Sequence, residues 1–247
     1  MEKNSKMETN RKISKSQQEL YSLYGKLSIQ YLEIYKNHIK GLAVKKEINI
    51  VDLGGCGGHF ANAVKSFFND NGVETNVTVI DYCRYSEWEE FGEINFVHED
   101  AFTALAQMEN GKADIIFINA LLHHLVFDTY KKTRDAQKRL LELAYEKLNK
   151  DGYLCIRENY AENPVLRGLS VPLIYFMTRS QNPDMIKISS DCGANSAGIG
   201  VCFFSPGLLL KMLRRIGFVL VGKTITPWKW DRKYLIRHNK IVLVLKK

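Results

Sequence analysis

The residues able to do chemistry in this chain gather at the ends of short apolar runs. The stretch Ile48-Asn49-Ile50-Val51-Asp52-Leu53 closes on a carboxylate and runs into Gly54-Gly55-Cys56-Gly57-Gly58, before a helix predicted over about Phe60 to Phe68. Glycines let a backbone turn tightly and approach a ligand with no Cβ in the way. The helix start beyond offers unpaired N–H groups and a positive dipole end to an anionic group. A second run, Asn76 to Ile80, closes on Asp81 and Tyr82. A carboxylate there can accept from two neighbouring hydroxyls, and the phenol ring can lie against a flat heterocycle. Farther on stand His123 and His124, whose imidazoles titrate near neutral pH and suit proton transfer. Glu158 and Tyr160 follow a later apolar run, Tyr153 to Ile156.

The glycine turn is a poor dinucleotide fingerprint. G-x-G-x-x-G begun at Gly55 needs glycine where Phe60 stands, and begun at Gly54 it puts Cys56 at the second glycine. Asp52 would also crowd a pyrophosphate with negative charge. S-adenosylmethionine (SAM) fits better. Its amino-acid end carries an ammonium, which suits a carboxylate at a strand end, and a carboxylate, which suits backbone N–H groups.

Asp52, Gly54 and Gly58 match D/E-x-G-x-G-x-G, the first motif of the class I SAM-dependent methyltransferases, with Cys56 in place of the middle glycine. From about Ile48 to Lys247 the chain resembles that family. The resemblance implies an α/β fold: a Rossmann-like three-layer sandwich with a mostly parallel seven-stranded sheet and an antiparallel last strand. It implies SAM as cofactor, held by Asp52, Gly54, Gly55 and Gly58 at the first strand and by Asp81 and Tyr82 at the second. Asp81 lies about twenty residues beyond the turn, where such folds place the ribose-binding acid. Asp100, Ala101 and Phe102, after a third strand (Ile94 to Val97), would meet the adenine, Asp100 accepting from its amino group. Asn119, ending a fourth strand (Ala113 to Ile118), would line the same crevice. His123 matches the histidine of an L-H or L-H-H motif in many small-molecule members, so it is the preferred base. His124 and Glu158 are the other catalytic candidates.

Other elements must position these groups. Leu20, Tyr24, Leu27, Tyr31, Ile34 and His38 recur at steps of four and three, one apolar stripe on a helix over Gln17 to about Lys40. Residues 1–45 are thus expected to form an N-terminal helical arm, and 46–247 the SAM-binding domain. A helix is predicted over Thr129 to Leu148, stopped by Asn149-Lys150-Asp151-Gly152. Ser205-Pro206 should start another, which Gly217 ends. Two final strands are predicted over Phe218 to Ile225 and Lys240 to Lys246. The long segment 160–204 reads as an irregular, substrate-covering insertion.

Composition bounds the rest. With 247 residues, 45% of them apolar and 25% charged, the chain suits one globular domain of this type. No run is long enough to span a bilayer as a helix. Met1 to Gln18 is polar and basic, unlike a signal peptide. The five cysteines show no C-x-x-C pair, which argues against a disulfide framework and a metal site and points to the cytoplasm. The net charge of +8 is unevenly placed: in the last segment eleven basic residues from Lys211 onward face one acid, Asp231.

Three readings remain open at this point. The preferred one is methylation of a small-molecule acceptor at oxygen. A tRNA methyltransferase is the alternative, with the basic segment and Trp228, Trp230 and Tyr234 as charge and stacking surface. A non-catalytic module that keeps the fold is the third, favoured only by Cys56. Methylation of base amino groups is disfavoured because Asn119-Ala120-Leu121-Leu122 stands where Asp/Asn-Pro-Pro-Tyr/Phe would be.

Overall fold

A computed structural model of the chain describes residues 14–162, 169–191, 196–231 and 236–247. Seven strands form one sheet: β1 (Glu47–Leu53), β2 (Glu74–Asp81), β3 (Asn95–His98), β4 (Ala113–Asn119), β5 (Leu148–Glu162), β6 (Val219–Asp231) and β7 (Ile236–Lys246). Their order is β3-β2-β1-β4-β5-β7-β6. β1 to β5 run parallel, and β7 pairs antiparallel with both β5 and β6. Ile115, Ile116, Phe117 and Ile118 of β4 are fully buried, as a central parallel strand covered on both faces requires.

Helices cover both faces. On one, α4 (Ala101–Gln107), α5 (Tyr130–Lys147) and α8 (Pro206–Ile216) pack, with Leu140, Leu141, Leu209 and Leu213 against Ile116, Ile118, Leu154 and Ile156. On the other, α2 (Leu32–Ile39) and α3 (His59–Asn69) bring Tyr35, Ile39, Phe60 and Phe68 against Ile48, Ile50, Ile115 and Phe117. The chain leaves β1 toward β2 and β3 and returns on the other side at β4. The crevice therefore opens over the carboxyl ends of β1 and β4, where strand order reverses.

Local chemistry fixes most boundaries. Ser205 Oγ accepts from the Leu208 amide, Pro206 takes the first turn of α8, and Gly217 ends the helix at φ 121°. Asp100 Oδ1 accepts from the amides of Phe102 and Thr103 and so starts α4.

Three expectations need correction. The arm is not one helix with one stripe: α1 (Lys15–Ser28) and α2 are separated by a 3-10 turn over Ile29–Tyr31. The buried stripe begins only at Tyr31, Leu32, Tyr35 and Ile39, whereas Tyr24 and Leu27 of α1 are exposed. The reason is that α1 lies over the crevice rather than the core. It turns small residues inward, Ser22 and Ser28 being buried, and a Cβ added to Gly25 would meet Cys56 Cβ at 3.8 Å. Second, Asn149 to Gly152 belong to β5, whose pairing with β4 shifts between Ala113 and Ile115. Third, the insertion is partly helical, with α6 (Ser170–Arg179) and α7 (Pro183–Asp191) anchored by fully buried Tyr175, which donates to the Phe127 carbonyl at 2.9 Å.

Gly58 precedes α3 at φ 83°, and a Cβ there would stand 2.7 Å from Phe96 Cζ. Gly72 has a similar φ of 76° with open space around it. Gly58→Ala is expected to lower stability by about 1–3 kcal/mol, more than Gly72→Ala, which bears only the backbone cost. Denaturant midpoints of the two variants check this.

Candidate functional site

The crevice is roofed by α1 and walled by the loop after β4, by α6 and by the segment before α8. Asp52, Gly54, Gly55, Asp81, Tyr82, Asp100, Ala101, Phe102, Asn119, His123 and His124 all line it. Gly58 and Glu158 do not. Gly58 serves the packing of Phe96 instead, because its missing Cβ leaves room for that ring.

Asp52 is 1% exposed, at the bottom of the crevice. A Cβ at Gly55 would stand 2.7 Å from its Oδ2, so the turn wraps the carboxylate more closely than any other residue there allows. Asp52 Oδ1 has no hydrogen-bond partner. Burial first, and then the neighbouring charge of Asp81, push its pKa up to about 8. Asn119 accepts from the Tyr35 hydroxyl at 3.1 Å, while its Nδ2 is unpaired. Buried polar atoms are rarely left without partners, and the Asn119 side chain is near enough to Asp52 to oppose the rise in its pKa.

Asp81 accepts from the amides of Cys56 at 3.0 Å and Cys83 at 2.8 Å, one on each oxygen. Each oxygen keeps a second acceptor direction. Burial raises its pKa to about 6 against the pull of these amides. Cys56 has φ 51°, a left-handed conformation that costs a non-glycine residue about 1–2 kcal/mol. Its carbonyl accepts from Trp88 Nε1 at 2.7 Å. The Cys56 amide and carbonyl are thus both held, and the turn keeps its shape without the middle glycine.

At the other end, His123 and Glu158 are 4% and 2% exposed. His123 Nδ1 lies 2.6 Å from Glu158 Oε2, and the Leu122 amide donates to Glu158 Oε1 at 2.7 Å. A carboxylate against Nδ1 holds the proton on that nitrogen and leaves Nε2 with a lone pair. Gln137 Nε2 donates to the carbonyls of Leu122 and Cys202, at 2.8 Å each, which ties the histidine loop to the segment before α8. Phe203 stacks on the His123 ring at 5.2 Å, and His124 lies beside Tyr21 of α1 at 5.5 Å. Glu158 was expected beyond the fifth strand as a catalytic candidate. It lies inside β5 and does not line the crevice, because His123 Nδ1 and the Leu122 amide cover its two oxygens.

Sequence reasoning missed Arg157, which is 6% exposed and lines the crevice. Its Nη2 donates to Ser28 Oγ at 3.1 Å, and its Nε is unpaired. The available signal was a permanent charge directly after the apolar run Leu154-Cys155-Ile156. The side chains of Trp228 and Trp230, and Tyr234 entirely, lie outside the described residues. Among the described residues no helix is long and apolar enough to cross a membrane.

A Rossmann-like sheet in this order, with an acidic strand end under a glycine turn, defines a protein of the SAM-binding class. Residues 32–223 match the family model described as a methyltransferase domain, and the chain belongs to that family. It is a class I SAM-dependent methyltransferase with SAM as its cofactor. No curated protein matches its sequence. Solved structures share its fold. The putative sarcosine dimethylglycine methyltransferase of Galdieria sulphuraria has a TM-score of 0.59 at 11% identity, over 89% of this chain and 85% of that one. A SAM-dependent methyltransferase of Methanosarcina mazei gives 0.55 at 15% identity, over 85% and 97%. The 1,6-didemethyltoxoflavin-N1-methyltransferase of Burkholderia thailandensis, solved with 1,6-didemethyltoxoflavin and S-adenosylhomocysteine, gives 0.50 at 15%, over 92% and 87%. The residues present fit the cofactor: the unpaired Asp52 and Asn119 atoms and the close approach at Gly55 suit its amino-acid end.

The raised carboxyls set a pH dependence. Both are ionised in the unfolded chain above their ordinary value of 3.8 but resist ionisation when folded. The folded state therefore binds more protons in between, and stability falls as pH rises. Asp81 contributes up to about pH 6 and Asp52 on to about 8. Without ligand, Asp52→Asn is expected to flatten the loss between those values and to melt above the parent protein at pH 8, in a series of melts from pH 5 to 9.

Proposed function

We propose that this methyltransferase places a methyl group on a hydroxyl oxygen of a small-molecule acceptor, with His123 as the base. The observation that carries the reading is the buried Glu158–His123 pair, 2.6 Å apart, beside the crevice that holds Asp52 and Asn119. SAM supplies an already activated methyl on a sulfonium, so the protein's task is to place the acceptor in line with it and keep water out. His123 Nε2 would take the hydroxyl proton as the new O–C bond forms and the methyl–sulfur bond breaks, its electron pair staying with the sulfur of the departing thioether. Glu158 is a positioning residue: it fixes the tautomer and steadies the imidazolium. The apolar wall contributed by Ile174, Met177, Val201 and Phe203 suits a compact, partly apolar acceptor.

For the cofactor, Asp52, Gly54, Gly55 and Asn119 would hold the amino-acid end. Asp81 would accept from the ribose hydroxyls. Asp100, Ala101, Phe102 and Tyr82 would enclose the adenine. Asp100 has already committed Oδ1 to the start of α4, which leaves Oδ2 for the amino group.

His123→Ala is expected to lower kcat by about 10²–10⁴-fold with SAM affinity almost unchanged. Glu158→Gln should cost activity too, because an amide N–H facing Nδ1 puts the histidine proton on Nε2. Full turnover in His123→Ala against a panel of hydroxyl acceptors would remove the base from the mechanism. Separately, Asp81→Ala should weaken SAM by about tenfold or more in calorimetry, since two hydrogen bonds to a charged group are lost.

A further inference from the structure

We propose that Arg157 seats the carboxylate of the bound cofactor, so that the crevice holds the amino-acid end of SAM as a zwitterion, its ammonium toward Asp52 and its carboxylate toward Arg157. The proposal rests on the reading above that the Asp52 end of the crevice receives that amino-acid end.

A guanidinium cannot shed its proton, and burying one without a counter-ion is costly. Arg157 is buried, yet it forms no ion pair with any described residue. Its contacts are neutral: the Ser28 hydroxyl and the Tyr31 ring, 5.1 Å away. A ring face offsets part of the charge, but Nε remains without a partner. The planar fork of arginine matches a carboxylate with two parallel hydrogen bonds.

Arg157 is the register partner of Asn119 across β4 and β5. Alternation along the strands puts Asp52, Asn119 and Arg157 on the face covered by α2 and α3, in a row across the carboxyl ends of β1, β4 and β5. Each has an unpaired buried atom: an acceptor on Asp52, a donor on Asn119 and a donor on Arg157. Asp52 and Arg157 feel each other's charge without pairing. One acceptor beside two donors is the complement of an ammonium and a carboxylate carried on a single carbon. The main chain reinforces the row. The Ala120 amide donates to the Arg157 carbonyl at 2.7 Å, with Ala120 held at φ 56°.

Calorimetry with three probes tests this: SAM, decarboxylated SAM, which keeps the ammonium, and 5′-methylthioadenosine, which has neither charge. The parent protein should prefer SAM over decarboxylated SAM by about tenfold or more. Arg157→Gln should abolish that preference and leave the affinity for decarboxylated SAM nearly unchanged. Arg157→Lys should restore part of it. Melting curves establish that each variant folds. If Arg157→Gln does not fold, Ser28→Ala, which frees the guanidinium from its hydroxyl partner, should reduce the preference in the same selective way. Equal weakening of both charged probes would make Arg157 structural and overturn the proposal. Unchanged SAM affinity with a raised acceptor KM would also overturn it, by moving the anion to the acceptor. A parent protein that cannot tell SAM from 5′-methylthioadenosine would instead overturn the underlying reading of the Asp52 end.

Discussion

A carboxylate buried at the end of the first strand, with no cation among the described residues paired to it, is the constraint around which this molecule is organised. Asp52 sits where β1 stops and the chain must turn over it. Only a residue without Cβ passes at Gly55, because both the Asp52 carboxylate and the Val79 side chain occupy the space a Cβ would need. The ionised group is disfavoured by burial and by Asp81, so the ligand-free site carries a free-energy cost that a bound cation can offset. A site of this kind is less stable empty than filled, as binding sites commonly are.

The glycine turn is closed by its own Gly58 amide, which donates to the Gly55 carbonyl at 3.0 Å, and is also held from outside. Asp81 takes the Cys56 amide, Trp88 takes the Cys56 carbonyl, and α1 lays its small residues on top. Ser22 of α1 donates to Glu87, in the same 3-10 turn as Trp88. The end of β2, the segment after it and the N-terminal arm therefore converge on one residue, Cys56. The arm itself is anchored farther along, by Tyr35 and Ile39 of α2, both fully buried. Each such side chain contributes about 1.5–3 kcal/mol. α1 has no comparable anchor, so the roof of the crevice is its less strongly held part.

The two ends of the crevice use opposite faces of the sheet. On β5, Arg157 faces the layer of α2 and α3, and Glu158 faces the layer of α5 and α8. Adjacent residues thus serve different tasks: one lies beside the strand-end acids, the other behind the histidine. The loop after β4 closes the gap, pinned by Gln137, Glu158 and the Arg157 carbonyl.

By itself the sequence determined the strand-turn-helix at Asp52 to Gly58, the acid at the end of each of the first two strands, the apolar centre of β4 from Ile115 to Ile118 and the boundaries of α8. All of these are local: apolar period, glycine and proline positions and cap residues act within a few residues of chain. Tertiary structure alone decided the remainder. Glu158 became the partner of His123, and Arg157 a lining residue, because two strands distant in sequence aligned in register. Gly58 proved to be required by Phe96, a contact no spacing announces. Leu27, apolar and correctly spaced, stays exposed, and Tyr24 lines the crevice rather than the core, because α1 lies over the crevice. Periodicity reports that a helix has two faces; what each face meets depends on partners that only the folded chain brings close.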